Sequence, residues 1–570
     1  MSDPASSHAR SAPIRKGFVR LPHGQVHYRA AGSGPPIVLL HDSPRSSSMH
    51  RPLLAAWSDE FTVIALDTPG YGNSTPLPDT PQPEIADFAA ALAATLAALG
   101  IERCPVYGFH TSSKINLQFA IDHPGRVSLA IIDGLNLPPG GPPPEFISRY
   151  MKPFVVTDDG SYLAATWAKA RELFRFFPWF DKSPQSRLPL PLPDDEFLHG
   201  YVLDMLMAGA HYSSAYSAAM RYLALPKVPQ VRAPVLFTCR DNDPLYPFLD
   251  ALPRELPPGC RIERMGSDTT QWRERIREQL RSAASGGPVS LPSDFAAAHA
   301  GESRGYVELP HGQMHWRRWG GPSLQRPLLL LPELPGSSAG CAALALTLSA
   351  RRQVYAADMP GIGESDPLPS PGFAAQVDAL ARALDALALG EVDVHAEFTA
   401  APFALELARR QPQRIRHLVL DGLPLLTASD RRQMAQRYCP PLAVENNGGH
   451  LLALWQRLRD QELTWPWYER SATAIRRRAA DLSAPRLAAL TLDLAKQLPG
   501  YGSAALAAFE VDVIELLPAV GQRISLLHDD NDCRYRAAAA LVPLPGRLAR
   551  HPRPDTYADR AALIDACLQD

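Results

Sequence analysis

One segment of this chain occurs twice, and this repeat constrains the fold more than any other feature. The sequence GFVRLPHGQVHYRAAG at 17–32 returns as GYVELPHGQMHWRRWG at 305–320. Other pairs keep a spacing of 288 to 291 residues, among them ALDTPGYGNSTPLP with AADMPGIGESDPLP and FPWFDKS with WPWYERS. A period of this length exceeds a solenoid repeat and matches a complete domain. The chain is therefore predicted to contain two tandem copies of one domain.

The two copies set the predicted domain boundaries. The first domain spans 17–282 and the second spans 304–570, with lids at about 138–228 and about 426–515 respectively. The intervening segment, 283–303, combines small and polar residues with Gly and Pro, which is typical of a linker. We expect the two lobes to pair within the chain, and the sequence leaves the oligomeric state open.

Composition excludes several classes of function. Of 570 residues, 46% are hydrophobic and 20% are charged, which supplies enough apolar side chain for full-sized cores. The 57 Lys and Arg residues nearly balance the 59 Asp and Glu residues, so no net field attracts nucleic acid or an anionic membrane.

The polar start of the chain, 1–16, is predicted to be a disordered tail. Because it lacks an apolar signal segment and no run approaches the length of a membrane span, a cytoplasmic protein is expected. The seven Cys residues form no CxxC pair, so no metal site is expected.

Short apolar runs in the first copy end in polar turns. PPIVLLHD, FTVIALDTPG, CPVYGFHT, LAIIDG and APVLFTCRDND share this design, and segments with helical spacing lie between them. Such non-alternating runs are typical of strands that are buried on both faces. The alternation of strand and helix predicts an α/β fold with a doubly wound, mainly parallel sheet in each copy. In such sheets the chemistry gathers in loops beyond the carboxyl ends of the strands.

These loops resemble those of the α/β-hydrolase superfamily. LLHDSP resembles its oxyanion loop, DTPGYGNS resembles the turn after its fourth strand, and VYGFHTSS resembles its nucleophile elbow. The resemblance covers most of both copies and implies two tandem α/β-hydrolase-like domains, each with a helical lid. It also implies an enzyme that acts on a small molecule without a metal or an organic cofactor.

The elbow departs from the family pattern in both copies. The family elbow is Gly-x-Ser-x-Gly, whereas the first copy has GFHTS, with His110 at the nucleophile position, and the second has AEFTA, with Phe398 there. A shifted frame would make Thr111 or Ser112 the nucleophile, but a bulky residue would then stand where the turn needs Gly. Phe398 can neither attack a carbonyl nor transfer a proton, so the second copy is predicted to be a pseudoenzyme lobe. A bulky residue is costly at positive φ, so the strained elbow is expected to persist more readily in the first copy.

An ordinary Ser-His-Asp triad is absent from both copies. The resemblance places Asp243 in the acid loop after strand seven, and no His follows it before the linker. The usual base position falls on Ser267 or Asp268. We predict that His110 pairs directly with Asp268, that Asp243 lies behind this pair, and that the imidazole transfers a proton.

The same resemblance identifies the donors of an oxyanion hole. They are the backbone N–H of Thr111 and that of Asp42 or Ser43. The family usually has Gly where this chain has Asp42. Its carboxylate would repel an oxyanion unless it turns away to bind Arg45 or to cap the next helix.

The lid of the first copy is predicted to shape the substrate pocket. FRFFPWFDK is dense in aromatic side chains, and Trp179 is its leading pocket residue. His211 and Tyr212, on a later lid helix, are further pocket candidates. For the aromatic cluster that contains Trp179 the alternative role is packing within the lid, and for His211 it is a packed or solvent-facing position.

The sequence favours one function and leaves two others open. The leading prediction is a cofactor-independent enzyme that acts on a small apolar carbonyl or ester-like metabolite by His-based proton transfer with an oxyanion hole, hydrolysis being favoured. The alternatives are a non-catalytic ligand-binding or scaffold protein, and a lyase, cyclase or oxygenase that needs no cofactor.

Overall fold

The computed structural model describes residues 12–78, 82–152, 154–292, 301–535 and 547–569. The predicted tail and linker therefore lie partly outside the described residues. The chain forms two compact units. Unit one comprises Met1–Val155, Glu172–Leu192 and Gly200–Pro292, and unit two comprises Val156–Arg171, Pro193–His199 and Ser293–Asp570.

Unit one is built on an eight-stranded sheet. Its strands are β1 (Arg15–Leu21), β2 (Gly24–Ala31), β3 (Pro36–Leu40), β4 (Thr62–Leu66), β5 (Cys104–Phe109), β6 (Val127–Asp133), β7 (Val235–Arg240) and β8 (Cys260–Met265). Their order across the sheet is β1-β2-β4-β3-β5-β6-β7-β8. The β1–β2 and β2–β4 pairs are antiparallel, and the others are parallel. The five apolar runs correspond to β3–β7, so the predicted fold class is confirmed.

The first copy contributes eight helices within the described residues. They are α1 (Arg51–Trp57), α2 (Ile85–Ala98), α3 (Thr111–Asp122), α4 (Pro144–Tyr150), α5 (Ser161–Leu173), α6 (Asp195–Ala208), α7 (Ser214–Arg221) and α8 (Thr269–Ala283). Four of them, α1, α2, α3 and α8, pack on the faces of this sheet. Trp57 of α1 and Ile276 of α8 join one apolar cluster with Ile131 of β6. This cluster lies on one face of the sheet, and because side chains alternate between faces along a strand, a second set of side chains points to the opposite face. There α3 packs against β5 and β6, and α2 packs against α3.

Unit two repeats this plan. Its strands are β9 (Ser303–Leu309), β10 (Gly312–Trp319), β11 (Leu328–Leu331), β12 (Val354–Ala357), β13 (Val392–Glu397), β14 (Ile415–Asp421), β15 (Arg523–His528) and β16 (Leu548–Pro552), in the order β16-β15-β14-β13-β11-β12-β10-β9. Its helices are α9 (Ala342–Leu348), α10 (Phe373–Ala386), α11 (Ala401–Arg410), α12 (Ala428–Arg437), α13 (Gly449–Leu463), α14 (Ala484–Ala495), α15 (Ser503–Ala508), α16 (Val513–Leu516) and α17 (Tyr557–Gln569). Within the described ranges, no helix has the length and apolar character that crossing a bilayer requires.

A lid segment of the first copy, residues 156–171, packs within unit two. Trp167 of α5 is only 2% exposed, and its indole N–H donates to the Asn446 carbonyl at 2.9 Å. The Trp167 ring meets the His450 ring edge to face at 5.2 Å between centroids. Gly448 has φ 75°, and a Cβ there would lie 2.6 Å from the Trp167 ring. The sequence of the first lid is thus divided between the two units.

Candidate active site

His110 occupies a sharp turn between β5 and α3. Its φ of 49° and ψ of −112° are strained for a residue other than glycine, at a cost of roughly 1–3 kcal/mol. The backbone N–H of His110 donates to the Asp133 carbonyl at 2.9 Å, which ties the turn to the end of β6. The next residue, Gly134, has φ 68°, and a Cβ there would lie 2.5 Å from the His110 ring. The turn therefore presents the imidazole at the carboxyl edge of the sheet.

Asp243 holds the imidazole directly. Nε2 of His110 lies 2.8 Å from Oδ2 of Asp243, in the loop after β7. The other carboxylate oxygen, Oδ1, accepts the Leu245 N–H at 2.9 Å. Because an ionised carboxylate only accepts hydrogen bonds, Nε2 carries the proton and Nδ1 is left as the basic nitrogen. The His110 side chain remains 26% exposed, so it can be reached from solvent.

The surrounding charges tune this pair. Burial would lower the pKa of His110, but the hydrogen bond to Asp243 and the charges of Asp42, Asp243 and Asp133 outweigh it and raise the pKa above 6.5. Burial would raise the pKa of Asp243, but the hydrogen bond and charge of His110 outweigh it and lower the pKa. Burial raises the pKa of Asp133 to about 6, although Tyr107 donates a hydrogen bond to it at 2.8 Å.

Asp268 makes no hydrogen bond or ion pair with His110. It is the N-cap of α8, and its Oδ1 accepts the N–H groups of Thr270 at 2.8 Å and Gln271 at 2.9 Å. These bonds satisfy backbone donors that the first turn of a helix leaves unpaired. The expected His110–Asp268 pair is therefore corrected: Asp243 takes the position next to the ring, and Asp268 stabilises a helix start.

Asp42 places a carboxylate at the expected oxyanion site. The Thr111 N–H donates to its Oδ1 at 3.4 Å, and the Thr111 hydroxyl donates to the same oxygen at 3.1 Å. The Asp42 Oδ2 atom lies 4.0 Å from Nδ1 of His110. Arg45, a possible partner of Asp42 from the sequence, instead binds Asp204 at 2.8 Å. The Thr111 donor predicted for an oxyanion is thus already bound to a carboxylate of the protein.

Lid tyrosines lie near Asp42, and the sequence did not single them out. The hydroxyl oxygens of Tyr150 on α4 and Tyr216 on α7 are 3.3 Å apart. Burial raises the pKa of Tyr150 to about 12, and the Asp42 charge contributes to this rise. Burial and the charges of Tyr150 and Asp42 likewise raise the pKa of Tyr216. These hydroxyls stay neutral donors at physiological pH, and no motif marks them, because only the folded lid brings them together.

Two of the predicted pocket residues support these tyrosines. The Trp179 indole N–H donates to the Tyr150 carbonyl at 2.9 Å. The Tyr212 carbonyl accepts the Tyr71 hydroxyl at 2.9 Å, and that hydroxyl accepts the Tyr216 N–H at 3.2 Å. Trp179 and Tyr212 therefore hold the backbone of the elements that carry the tyrosine pair.

The two other candidates, His211 and Ser43, differ in burial. His211 is exposed on the lid. Ser43 is 4% exposed and hydrogen-bonds Tyr71 through its side chain. Among the described residues, no group of three or more His, Cys, Asp or Glu side chains is placed to hold a metal ion.

The second copy keeps the shape of the elbow without its chemistry. Phe398 has φ 33°, so the strain that we expected more readily in the first copy is present in both. The Trp465 ring packs edge-on against Phe398 at 4.8 Å, and the Arg534 guanidinium lies 4.1 Å above it. Phe398 is 1% exposed, and this dense packing compensates for its backbone strain. Asp532, the counterpart of Asp243, pairs with Arg476 at 3.0 Å.

Two curated relatives match this chain over little more than 100 residues each. Carboxylesterase YbfK of Bacillus subtilis is 31% identical over 117 residues, which cover 20% of this chain and 39% of that protein. A fluoroacetate dehalogenase of a Burkholderia species is 32% identical over 106 residues, which cover 18% of this chain and 35% of that protein. The matched part is thus less than half the length of either relative.

Two solved structures each align with about half of this chain. The epoxide hydrolase VrEH1 of Vigna radiata gives a TM-score of 0.38 at 17% identity, covering 47% of this chain and 98% of that one. A thermophilic esterase of Thermogutta terrifontis gives 0.37 at 18% identity, covering 48% and 100%.

A family model matches in both copies. It describes the alpha/beta hydrolase fold and aligns with residues 35–252 and 326–439, which together make up more than half of the chain. Each matched segment carries one of the two elbows and most of the central strands of its sheet. The chain therefore belongs to the α/β-hydrolase fold family, as a tandem duplication in which both nucleophile elbows are degenerate.

Proposed function

We propose that unit one is a cofactor-independent enzyme that hydrolyses a small, mostly apolar ester-like metabolite, with His110 as its general base. The observation that carries this proposal is the 2.8 Å contact between His110 and Asp243, which leaves Nδ1 as the proton acceptor of a ring that is still 26% exposed. The nucleophile position holds no Ser or Cys for an acyl-enzyme, and the nearby Ser112 is buried and donates its hydroxyl to the Leu40 carbonyl at 2.9 Å, so water attacks directly. Unit two, with Phe398 at its elbow, serves as a pseudoenzyme lobe.

In the proposed reaction, His110 first accepts a proton from water and later donates a proton to the leaving group. Nδ1 of His110 takes a proton from water while the water oxygen bonds to the ester carbonyl carbon. The tetrahedral intermediate then collapses, the bond between carbon and the alcohol oxygen breaks, and the imidazolium protonates the departing alkoxide. Asp243 stabilises the imidazolium between these events, and Tyr150 and Tyr216 are neutral donors for the carbonyl oxygen.

Asp42 favours a second candidate, a cofactor-free lyase. A carboxylate bound to the Thr111 N–H repels a developing oxyanion, so hydrolysis requires that Asp42 move away or carry a proton. A reaction that relays a proton between His110 and Asp42, 4.0 Å apart, has no such requirement.

The Asp42→Asn variant distinguishes the two candidates. Asparagine keeps the shape of Asp42 and removes its charge, so a hydrolase is expected to gain about tenfold in kcat/KM, a change of ~1.4 kcal/mol in transition-state stabilisation. Initial rates with p-nitrophenyl acetate and p-nitrophenyl butyrate measure this change. Asp268→Asn is the matched control, because asparagine also caps helices and the rate should stay unchanged. A tenfold loss in Asp42→Asn would contradict the view that the Asp42 charge opposes the reaction, and would instead support the proton relay between His110 and Asp42 on which the lyase candidate depends.

The pH dependence of turnover tests the role of His110 as a base. Its pKa is raised above 6.5, and only the neutral ring accepts a proton, so kcat/KM should rise with pH through a single ionisation above 6.5. The contribution of His110 to stability has the opposite sign: it is fully present below pH 6.5 and is lost as the pH rises through the folded-state pKa. Parallel profiles of kcat/KM and of the melting temperature should therefore diverge. A flat rate profile between pH 6 and 9 would count against His110.

A further inference from the structure

Unit two contains a polar cavity of about 200 Å³ at the carboxyl edge of its sheet. Glu397 at the end of β13, Asp421 at the end of β14 and Tyr535 in the loop after β15 all line it. Six arginines also line it: Arg476, Arg478, Arg486, Arg534, Arg553 and Arg560. The volume exceeds the ~30 Å³ that one water molecule occupies in the liquid, so a small metabolite fits.

Five of these arginines have a close carboxylate partner within the protein. Arg534 lies 2.6 Å from Glu333, Arg476 lies 3.0 Å from Asp532, Arg486 lies 2.9 Å from Glu462, Arg560 lies 3.4 Å from Asp421, and Arg553 also pairs with Asp421. Burial of these charges is thus matched by ion pairs, as buried guanidinium groups require.

Arg478 is the exception. Its side chain is only 9% exposed, and among the described residues its one ion-pair contact is with Asp555 at 4.0 Å, which is itself 74% exposed. Nη1 of Arg478 is buried and has no hydrogen-bond partner within the described part of the chain, and the same holds for Nη1 of Arg553. A buried charge without a partner costs several kcal/mol, so a protein retains one where a ligand supplies the counter-charge.

The neighbouring cations act on Arg478 as well. Burial lowers the pKa of its guanidinium, and the charges of Arg553 and Arg476 lower it further. Arg478 and Arg553 therefore lie close enough to repel each other, and an anion between them would relieve this repulsion.

We propose that this cavity binds a small organic monocarboxylate whose two oxygens accept N–H groups of Arg478 and Arg553. A planar carboxylate matches the fork of guanidinium donors, and both orphaned Nη1 atoms then gain an acceptor. Arg553 shares Asp421 with Arg560, and Arg478 has a carboxylate only at 4.0 Å, so a bound carboxylate gives each of Arg478 and Arg553 an acceptor of its own. A phosphate dianion would bring a second charge beside Asp421 and Glu397, which line the same cavity. The site is independent of His110 and gives unit two a ligand although its elbow is inert.

Calorimetric titration of the full chain tests this site. Acetate and butyrate should bind saturably to the wild type, and Arg478→Gln should weaken this binding at least tenfold. Arg477→Gln is the matched control, because Arg477 is the exposed neighbour in the sequence and its loss should leave the affinity unchanged. His110→Ala should also bind like the wild type, so failure of the unit-one proposal would leave this result standing.

A thermal readout separates ligand binding from a structural role of Arg478. Arg478→Gln removes an unpaired buried charge, so without ligand its melting temperature should equal or exceed that of the wild type. Butyrate should raise the melting temperature of the wild type but not that of Arg478→Gln. Three outcomes would overturn the proposal: no saturable carboxylate binding up to tens of millimolar, unchanged affinity in Arg478→Gln, or a preference for inorganic phosphate that depends on Arg478. A ligand-free melting temperature that falls in Arg478→Gln would assign the residue to structure instead.

Discussion

The His110→Ala variant is expected to lower kcat/KM for an ester substrate by about 10²–10⁴-fold, because it removes the proposed general base. The melting temperature should fall by only about 2–4 °C, the shift expected for losing ~1 kcal/mol, since the ring is 26% exposed and its side chain makes one hydrogen bond, to Asp243. Alanine at φ 49° loses little relative to histidine, because both carry a Cβ. Initial rates with p-nitrophenyl esters and a thermal melt of the same preparation measure both quantities.

Asp268→Ala is the control for this loss. Its carboxylate bonds only to the first turn of α8, so the change should cost about 1 kcal/mol of stability and leave the rate near that of the wild type. Equal loss of turnover in His110→Ala and Asp268→Ala would contradict the assignment of Asp243 as the partner of the ring. Unchanged turnover in His110→Ala would remove the imidazole from the mechanism.

The Trp167→Ala variant is expected to lower the free energy of unfolding by about 3–5 kcal/mol, the range for removing a fully buried large aromatic side chain. Trp167 is 2% exposed, fills the space beside Gly448 and donates to the Asn446 carbonyl at 2.9 Å. The surrounding chain cannot collapse into the space left, because Gly448 is held at φ 75°. Urea denaturation followed by tryptophan fluorescence and by circular dichroism measures the loss.

Trp167→Phe provides the comparison. Phenylalanine keeps most of the apolar contact and loses the indole N–H, so a cost of about 1–2 kcal/mol is expected. A cost below 1 kcal/mol for Trp167→Ala would show that residues 156–171 contribute little to unit two in solution.

Several features of the site were within reach of the sequence. The elbow position of His110 follows from its place after an apolar run that became β5, and the acid loop of Asp243 follows from its place after β7. Asp268 was also a reasonable partner, because it follows β8, the next strand of the same sheet. Either carboxylate could accept a hydrogen bond from the His110 ring. The backbone paths of the two loops determine that Asp243, and not Asp268, lies next to the ring.

Other features have no counterpart in any sequence pattern. Tyr150 and Tyr216 lie on different lid helices, and Asp42 meets Thr111 across the loops after β3 and β5. Arg478 lies in the lid of the second copy, and nothing in its neighbourhood in the sequence separates it from the exposed Arg477.

The sequence by itself determined the duplication, the doubly wound and mainly parallel class of each sheet, and the loss of both nucleophiles, because repeats, apolar runs and residue types are properties of the chain read in order. Only the tertiary structure shows that Asp243 is the carboxylate that binds His110 and that the Thr111 N–H donates to the Asp42 carboxylate. It also shows that residues 156–171 pack within unit two. Hydrogen bonds form within about 3 Å between groups that loops of arbitrary length bring together. Spacing along the chain therefore predicts which side chains are buried, and only the folded backbone determines which of them meet.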